Sequence, residues 1–319
     1  MNSHHKTEST EPAVQYVPLD VSKGRLDYGL TPDRPAAVEN TSGGIATLIQ
    51  QLVRHPQARV VCESTGGYER RLLTALWGAR IEVCRVNPGR VRAFARAEGL
   101  RAKTDRIDVE LLRRYAVKMQ PSVDPPPAPE VEMLRDLMDY RRQLDEHRLA
   151  VNNRRETANP TLLALLTPQI DHLEASLAEA ENKIREHIRS HPNLQAKSER
   201  LQQLQGCGPV LAATLLAYLP ELGLAEDKPL AALVGVAPHP ADSGKTSRPR
   251  HARGGRVLVR NVLYMAAVSA SRHNPVLAVY YQRLRASGKP AKVCLVAVMH
   301  KMLLVLNRLL KDPNFTLVS

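Results

Sequence analysis

Hydrophobic and polar positions alternate in two short stretches over residues 15–32 (QYVPLDVSKGRLDYGLTP), and Ser22, Lys23 and Gly24 form a turn signal between them. This pattern predicts a hairpin. A third strand is expected over residues 36–39, followed by a helix over 44–53 and a compact β-rich run, ARVVCEST, at 58–65. Another helix, GYERRLLTALWG, leads to a strand in RIEVCRVNP. Three strands, helix, strand, helix, strand is the order of a ribonuclease-H-like mixed sheet.

The pattern changes at PSVDPPPAPE, residues 121–130, where five prolines in ten residues predict a stiff connector and a domain boundary. Residues 131–191 are rich in Leu, Ala, Glu and Arg. Leu134, Leu137 and Leu144, and after a break at Pro160 Ile170, Leu173, Leu177, Ile184 and Ile188, recur at spacings of three, four and seven. Two long amphipathic helices follow, packed as a coiled-coil hairpin or paired with another subunit. His187 and His191 are four apart on the second helix, but no third ligand accompanies them, so they read as a solvated helix face.

Residues 201–310 are helical in pattern. Within them, LQQLQGCGPVLAATLLAYL places Gly206 and Gly208 between two apolar runs, in the manner of a helix-hairpin-helix, whose glycine turn exposes backbone N–H groups to a phosphate. The competing reading is an ordinary tight connection between helices. The expected fold class is α+β and multidomain: a polar tail over 1–13, a mixed α/β domain over 14–120, linker and coiled coil over 121–194, and a mostly α-helical domain over 195–319.

Composition narrows the partner. The 319 residues hold 45 Lys or Arg against 32 acids, a formal charge of +13, which favours a polyanion such as nucleic acid. Aromatics are only 4%, too few for extensive base stacking, so backbone and shape contacts are expected. Cys62, Cys84, Cys207 and Cys294 form no CxxC pair, against a zinc ribbon or a disulfide framework, and fit a reducing cytoplasm. The start, MNSHHKTESTEPA, lacks the apolar core of a signal peptide, and no uninterrupted apolar run approaches a membrane span. A cytoplasmic, nucleoid-associated protein without a membrane partner is expected.

Four acids are candidates for metal chemistry. Asp20 lies in the first predicted strand, Glu63 where the run RVVC gives way to polar residues, and Asp105 and Asp108 three apart at the start of a helix. Taken alone, the last pair fits a helix start capped by Thr104. Together the four could hold hard divalent ions through oxygen; magnesium suits phosphoryl transfer, as two ions about 4 Å apart. Asp27 competes with Asp20 for the first position, and Asp20 is preferred because Val17 and Leu19 make its strand the more buried one.

The stretch ADSGKTSRPRHARGGR, residues 241–256, sets Ser243 between an acid and a glycine ahead of a cationic run. Lys245, Arg248, Arg250, Arg253, Arg256 and Arg260 suit phosphate neutralisation, and the glycines at 244, 254 and 255 permit close backbone approach to a ligand. GKTS is not a nucleotide-binding loop: His239 stands where the leading glycine would be, with no strand signal ahead of it.

Taken in order, LDVSK, ESTGGYER, VNPGRVRAFARAEGLRAKTDRIDVELL, GCGP, LVGVAP, DSG, RGGRVLVRNVLYMAA and RHNPVLAVYYQRLRASGKPAKVCLVAVMHKML cover nearly the whole chain. This series resembles the DEDD-type insertion-sequence transposases of the "one-ten" family, bridge-RNA-guided recombinases, and its "eleven-eleven" subgroup in particular. The resemblance implies a RuvC-like domain with Asp20, Glu63, Asp105 and Asp108 as the acidic tetrad, and Ser243 as the nucleophile. It implies a noncoding bridge RNA as guide, double-stranded target and donor DNA, and a tetramer, a dimer of dimers, with composite sites each holding two Mg2+ ions. Lys103 and Arg106 join Gly206, Gly208 and the six cations as expected nucleic-acid contacts. Val109 stands where alanine is common in the family and His300 where arginine is. Two other readings of the residues are a RuvC-type metal-dependent nuclease in which water attacks, and a non-catalytic nucleic-acid-binding scaffold.

Overall fold

The structure, a computed structural model, describes residues 14–31, 34–99, 105–239, 251–252 and 254–317, with the side chains at 34, 105–108, 238, 239 and 251 outside that description. The chain divides into two compact units, one up to Pro126 and one from Pro127 onward.

The first unit opens with β1 (Gln15–Val21), β2 (Arg25–Thr31) and β3 (Arg34–Glu39), an antiparallel meander. Helix α1 (Ser42–Leu52) follows, its first turn capped by Thr41, whose hydroxyl accepts from the Gly44 N–H. Gly44 is required there, because a Cβ would lie 2.1 Å from the Glu39 carbonyl oxygen. Then come β4 (Ala58–Glu63), α2 (Arg70–Gly78), β5 (Glu82–Val86), α3 (Pro88–Ala97) and α4 (Asp105–Met119). Strand order is β3-β2-β1-β4-β5, with β4 and β5 parallel to β1. Helix α3 has no counterpart in the expected element order. Asn87 caps it and Pro88 opens it, but it buries only Val91, so its apolar period is too faint to read.

Alternation along the strands gives the sheet two cores. Val17, Leu19, Val21, Leu26, Tyr28, Val60 and Cys62 pack with α1 and α2 residues on one face. Val61, Cys84 and Val86 pack with Val91, Leu111, Leu112, Tyr115 and Ala116 on the other. The connector predicted to be stiff is fastened to the sheet at its start: the Asp124 N–H donates to the Val83 carbonyl at 2.7 Å, and Arg85 pairs with Asp124 at 2.6 Å.

The second unit is helical: α5 (Pro129–Arg155), α6 (Pro160–Ser190), α7 (Pro192–Gln202), α8 (Pro209–Tyr218), α9 (Asp227–Val234), α10 (Val257–His273), α11 (Pro275–Ala286) and α12 (Ala291–Lys311). Five of these begin on proline, whose missing N–H costs nothing in a first turn. Helices α5 and α6 pack on each other as a hairpin. At its base Leu134, Met138, Ile184 and Ile188 enter the same core as Leu201, Leu215, Leu263, Val298 and Leu303, so the hairpin is rooted in the C-terminal helices.

One expectation changes here. His187 and His191 do not form a solvated face: their ring centroids are 4.4 Å apart, His187 Nε2 lies 2.7 Å from the Glu130 carbonyl oxygen, and His191 stands at the joint between α6 and α7. Helix α12 is long and apolar enough to cross a membrane, alone in this among the described residues. Its burial of Cys294, Leu295, Val298, Met299, Met302, Leu303, Leu306 and Leu309 in the core accounts for that apolarity.

Candidate functional site

The acidic site is built on the sheet. Leu19 and Cys62 are paired across the parallel β1–β4 ladder, so Asp20 and Glu63 are the next residues along each strand, with backbones about 4.8 Å apart. Both alternate with residues of the α1–α2 core and therefore face the opposite side, where α4 packs against β1, β2 and β4. Asp105 is the first residue of α4, and Asp108 lies in its first turn. The helix that carries the third and fourth acids thus covers the face to which the first two point. Their side chains, that of Arg106, and Lys103 lie outside the described residues. Among the described residues no group of three or more His, Cys, Asp or Glu is gathered as a metal site.

The register also separates the competing acids. Asp27 sits directly across from Asp20 on β2 and faces the same way, but Arg25 forks onto it, with Nε 2.9 and 3.0 Å from its two carboxylate oxygens. Asp20, on the central strand, is the one that adjoins Glu63.

Three side chains that sequence reasoning missed hold this end of the sheet. Glu69 is buried; it accepts hydrogen bonds from Thr65 Oγ1 and from the Gly67 N–H, bending the STGGYE segment that follows Glu63. The amide of Asn40 donates to the carbonyls of Ser22 and Tyr68, tying the β1–β2 turn to that segment. Arg113 of α4 donates to the carbonyls of Tyr16 at 3.1 Å and Gly29 at 2.6 Å, pinning the helix to the strands. Gly29 leaves the space, since a Cβ there would lie 2.6 Å from Arg113 Nη2. The Thr65 to Glu69 spacing was the available signal for the first; nothing local marks the other two.

Ser243 lies outside the described residues, as do Lys245, Arg248, Arg250 and Arg253, but the base of their loop is well defined. Strands β6 (Pro238–His239) and β7 (His251–Ala252) pair antiparallel and bring the two ends of the loop together. A short strand therefore does precede GKTS, though only of two residues. Gly235, the left-handed cap of α9, and Gly255 meet backbone to backbone. A Cβ on Gly255 would be 2.3 Å from the Gly235 nitrogen, and one on Gly235 would be 2.1 Å from the Gly254 oxygen. These positive-φ glycines lock the motifs LVGVAP and RGGR to each other, so Gly255 serves an internal contact and not a ligand. Gly254 keeps open space around its Cβ direction.

Arg256 is also used internally. Its guanidinium forks onto Glu221, at 2.6 Å to each carboxylate oxygen, and donates to the Tyr218 carbonyl, while its N–H donates to Leu233. Arg260 donates to the Gly254 carbonyl. At the other glycine motif, Gly206 has φ +107° and a Cβ there would lie 2.7 Å from Ala270 Cβ, so its smallness is demanded by α10. Gly208, the cap of α8, is open on its Cβ side. A cleft of about 540 Å³ lies beside Pro209 and Val210, with Arg185 and Arg189 at its edge.

All four cysteines are buried, and burial pushes the thiols of Cys62 and Cys207 up to about 12 and that of Cys84 to about 11.

Two models of known families match the chain. The model of a DEDD-type transposase domain matches residues 30–168, and a second, described as "Transposase IS116/IS110/IS902 family", matches residues 198–282. The chain is thus similar to transposases along two stretches that together take in most of its length. Both models are named for the IS110 group of transposases. The "Pilin gene-inverting protein" of Moraxella lacunata is 25% identical over 91% of this chain and 94% of its own length, and that of Moraxella bovis is equally similar. The "Insertion element IS900 uncharacterized 42 kDa protein" of Mycobacterium paratuberculosis is 31% identical over 48% of this chain and 38% of its own.

Proposed function

We propose that this chain is a transposase that cleaves, exchanges and rejoins double-stranded DNA through a covalent phosphoserine at Ser243, with magnesium held by Asp20, Glu63, Asp105 and Asp108 and with a structured bridge RNA as guide. The observation that carries this reading is that Asp20 and Glu63 lie side by side on neighbouring parallel strands, on the sheet face covered by the helix that starts at Asp105. An all-carboxylate set fits a hard divalent cation. Magnesium bound there would supply Lewis-acid stabilisation of charge on phosphate oxygens. The name of the Moraxella relatives, which invert a gene, supports an activity that cuts and rejoins.

In the step itself, Ser243 Oγ forms a bond to a DNA phosphorus, the bond from phosphorus to the leaving strand oxygen breaks, and that oxygen takes up a proton. The serine loses its own proton to a base. Rejoining is the reverse with the exchanged strand, so no external energy source is needed. A tetramer acting on target and donor duplexes completes the reading. The test is cleavage of cognate DNA, with RNA and magnesium, by the parent chain and two variants. Ser243→Ala should abolish both cleavage and the adduct, and Asp105→Asn with Asp108→Asn should abolish them too. Full cleavage by Ser243→Ala would instead identify water as the attacking group.

A further inference from the structure

From Arg256 to Lys311 the chain carries ten Lys or Arg and no acid, although about one residue in ten is acidic over the whole chain. Arg256 and Lys311 reach back to Glu221 and Glu226. Six others, Arg272, Arg283, Arg285, Lys289, Lys292 and Lys301, are exposed, and among the described residues none of them forms an ion pair. Helices α11 and α12 pack together, so five of the six belong to one helix pair and the turn joining it.

At the centre of this pair is Tyr280. The Arg283 guanidinium lies 5.4 Å from its ring centroid, and the Lys301 ammonium, from the neighbouring helix, lies 5.3 Å from it. Two like charges are gathered on one ring, and among the described residues neither is held by an ion pair. The ring quadrupole offsets part of the repulsion, but a polyanion would offset much more. The aromatic ring is already engaged by cations, which leaves it poorly suited to base stacking. Phosphates of a duplex are the better match, with one charge for about every 1.7 Å of its axis.

The rest of the unit shows that one-signed charge is not its default surface. Over residues 129–190 there are twelve acids to nine Lys or Arg, and Arg141, Arg142, Arg148 and Lys183 are each paired with a carboxylate. Solubility alone is served there by mixed charge.

We infer that the outer face of α11 and α12, centred on Arg283, Tyr280 and Lys301, docks the phosphate backbone of duplex DNA. The inference rests on the transposase reading only for the choice of DNA over RNA. Its test is fluorescence anisotropy of the full-length chain with a blunt DNA duplex over a range of salt. The double variant Arg283→Gln/Lys301→Gln should lower the slope of log affinity against log salt by about 1.8, or about 0.9 for each phosphate no longer neutralised. Arg154→Gln/Arg155→Gln, which removes the same charge from the hairpin, should leave the slope unchanged. Equal drops in slope for both variants, or none for the first, would overturn the inference, and so would a drop seen with an RNA duplex and not with DNA. Circular dichroism melts check that the exposed substitutions leave the fold intact.

Failure of the functional reading looks different. In that case no covalent adduct forms at any DNA concentration, while the salt slopes can still separate the two variants. If both readings hold, the Arg283→Gln/Lys301→Gln protein regains its adduct when DNA is raised above the weakened affinity.

Discussion

The hairpin of α5 and α6 and the helices α10 to α12 share one hydrophobic core, yet they handle charge in opposite ways. On the hairpin, cations sit one turn from acids, as in Arg142 with Asp139 and Glu146 or Arg148 with Asp145, and the surface is internally neutralised. On α10 to α12 the acids are missing altogether. The C-terminal helices must therefore draw their stability from packing and backbone hydrogen bonds, because their surface charges oppose one another. Their excess of charge is a property kept for a partner.

Substitutions in the two regions probe this contrast, beginning with the most damaging. Gly255→Ala places a Cβ against the Gly235 backbone at positive φ and should cost about 3–5 kcal/mol of stability in urea melts. Leu303→Ala opens a cavity in the shared core and should cost about 2–4 kcal/mol, whereas Leu165→Ala, on the exposed side of α6, should stay within about 0.5 kcal/mol. If Leu165→Ala matched Leu303→Ala, Leu165 would have a core role that its exposure denies.

Alkaline pH gives a smaller effect. The folded thiols of Cys62 and Cys207 are raised to about 12, so the unfolded chain ionises first as pH climbs past its ordinary thiol value near 9. Stability is therefore full below about pH 9 and declines on the way to 12, by roughly 1 kcal/mol for each thiol at pH 10. Replacing Cys207 by Ala should flatten that limb. The smallest effect has opposite signs in the two regions. Glu146→Gln removes a partner of Arg142 and should destabilise by about 0.3–0.5 kcal/mol at low salt. Lys301→Gln relieves repulsion and should be neutral or stabilising by a few tenths of a kcal/mol. Both shifts should fade at high salt.

The sheet unit is largely legible in the sequence because its strands carry a period of two and its turns carry glycine: three strands, helix, strand, helix and strand appear in the expected order. Helix α3 is not, because only Val91 marks its inner face. The acids Asp20 and Glu63 stand out by their position at strand ends, while Asn40, Glu69 and Arg113 act through hydrogen bonds, most of them spanning long stretches of chain that no local pattern records. Glycines 206 and 255 look in the sequence like openings for a ligand, and their neighbours, Ala270 and Gly235, are internal. Sequence shows that a glycine is needed; only the fold shows what approaches it. The same holds for Arg256, one of six cations in a basic run until Glu221 is seen beside it.

Everything proposed for the chemistry turns on whether Ser243 becomes joined to DNA. This can be measured by trapping the full-length protein with cognate DNA, bridge RNA and magnesium, digesting the DNA away, and locating the residual nucleotide by peptide mass spectrometry. A phosphonucleotide mass should appear on Ser243 and be absent without magnesium. Cleaved DNA with an unmodified Ser243, or the nucleotide on another residue, would refute the phosphoserine mechanism.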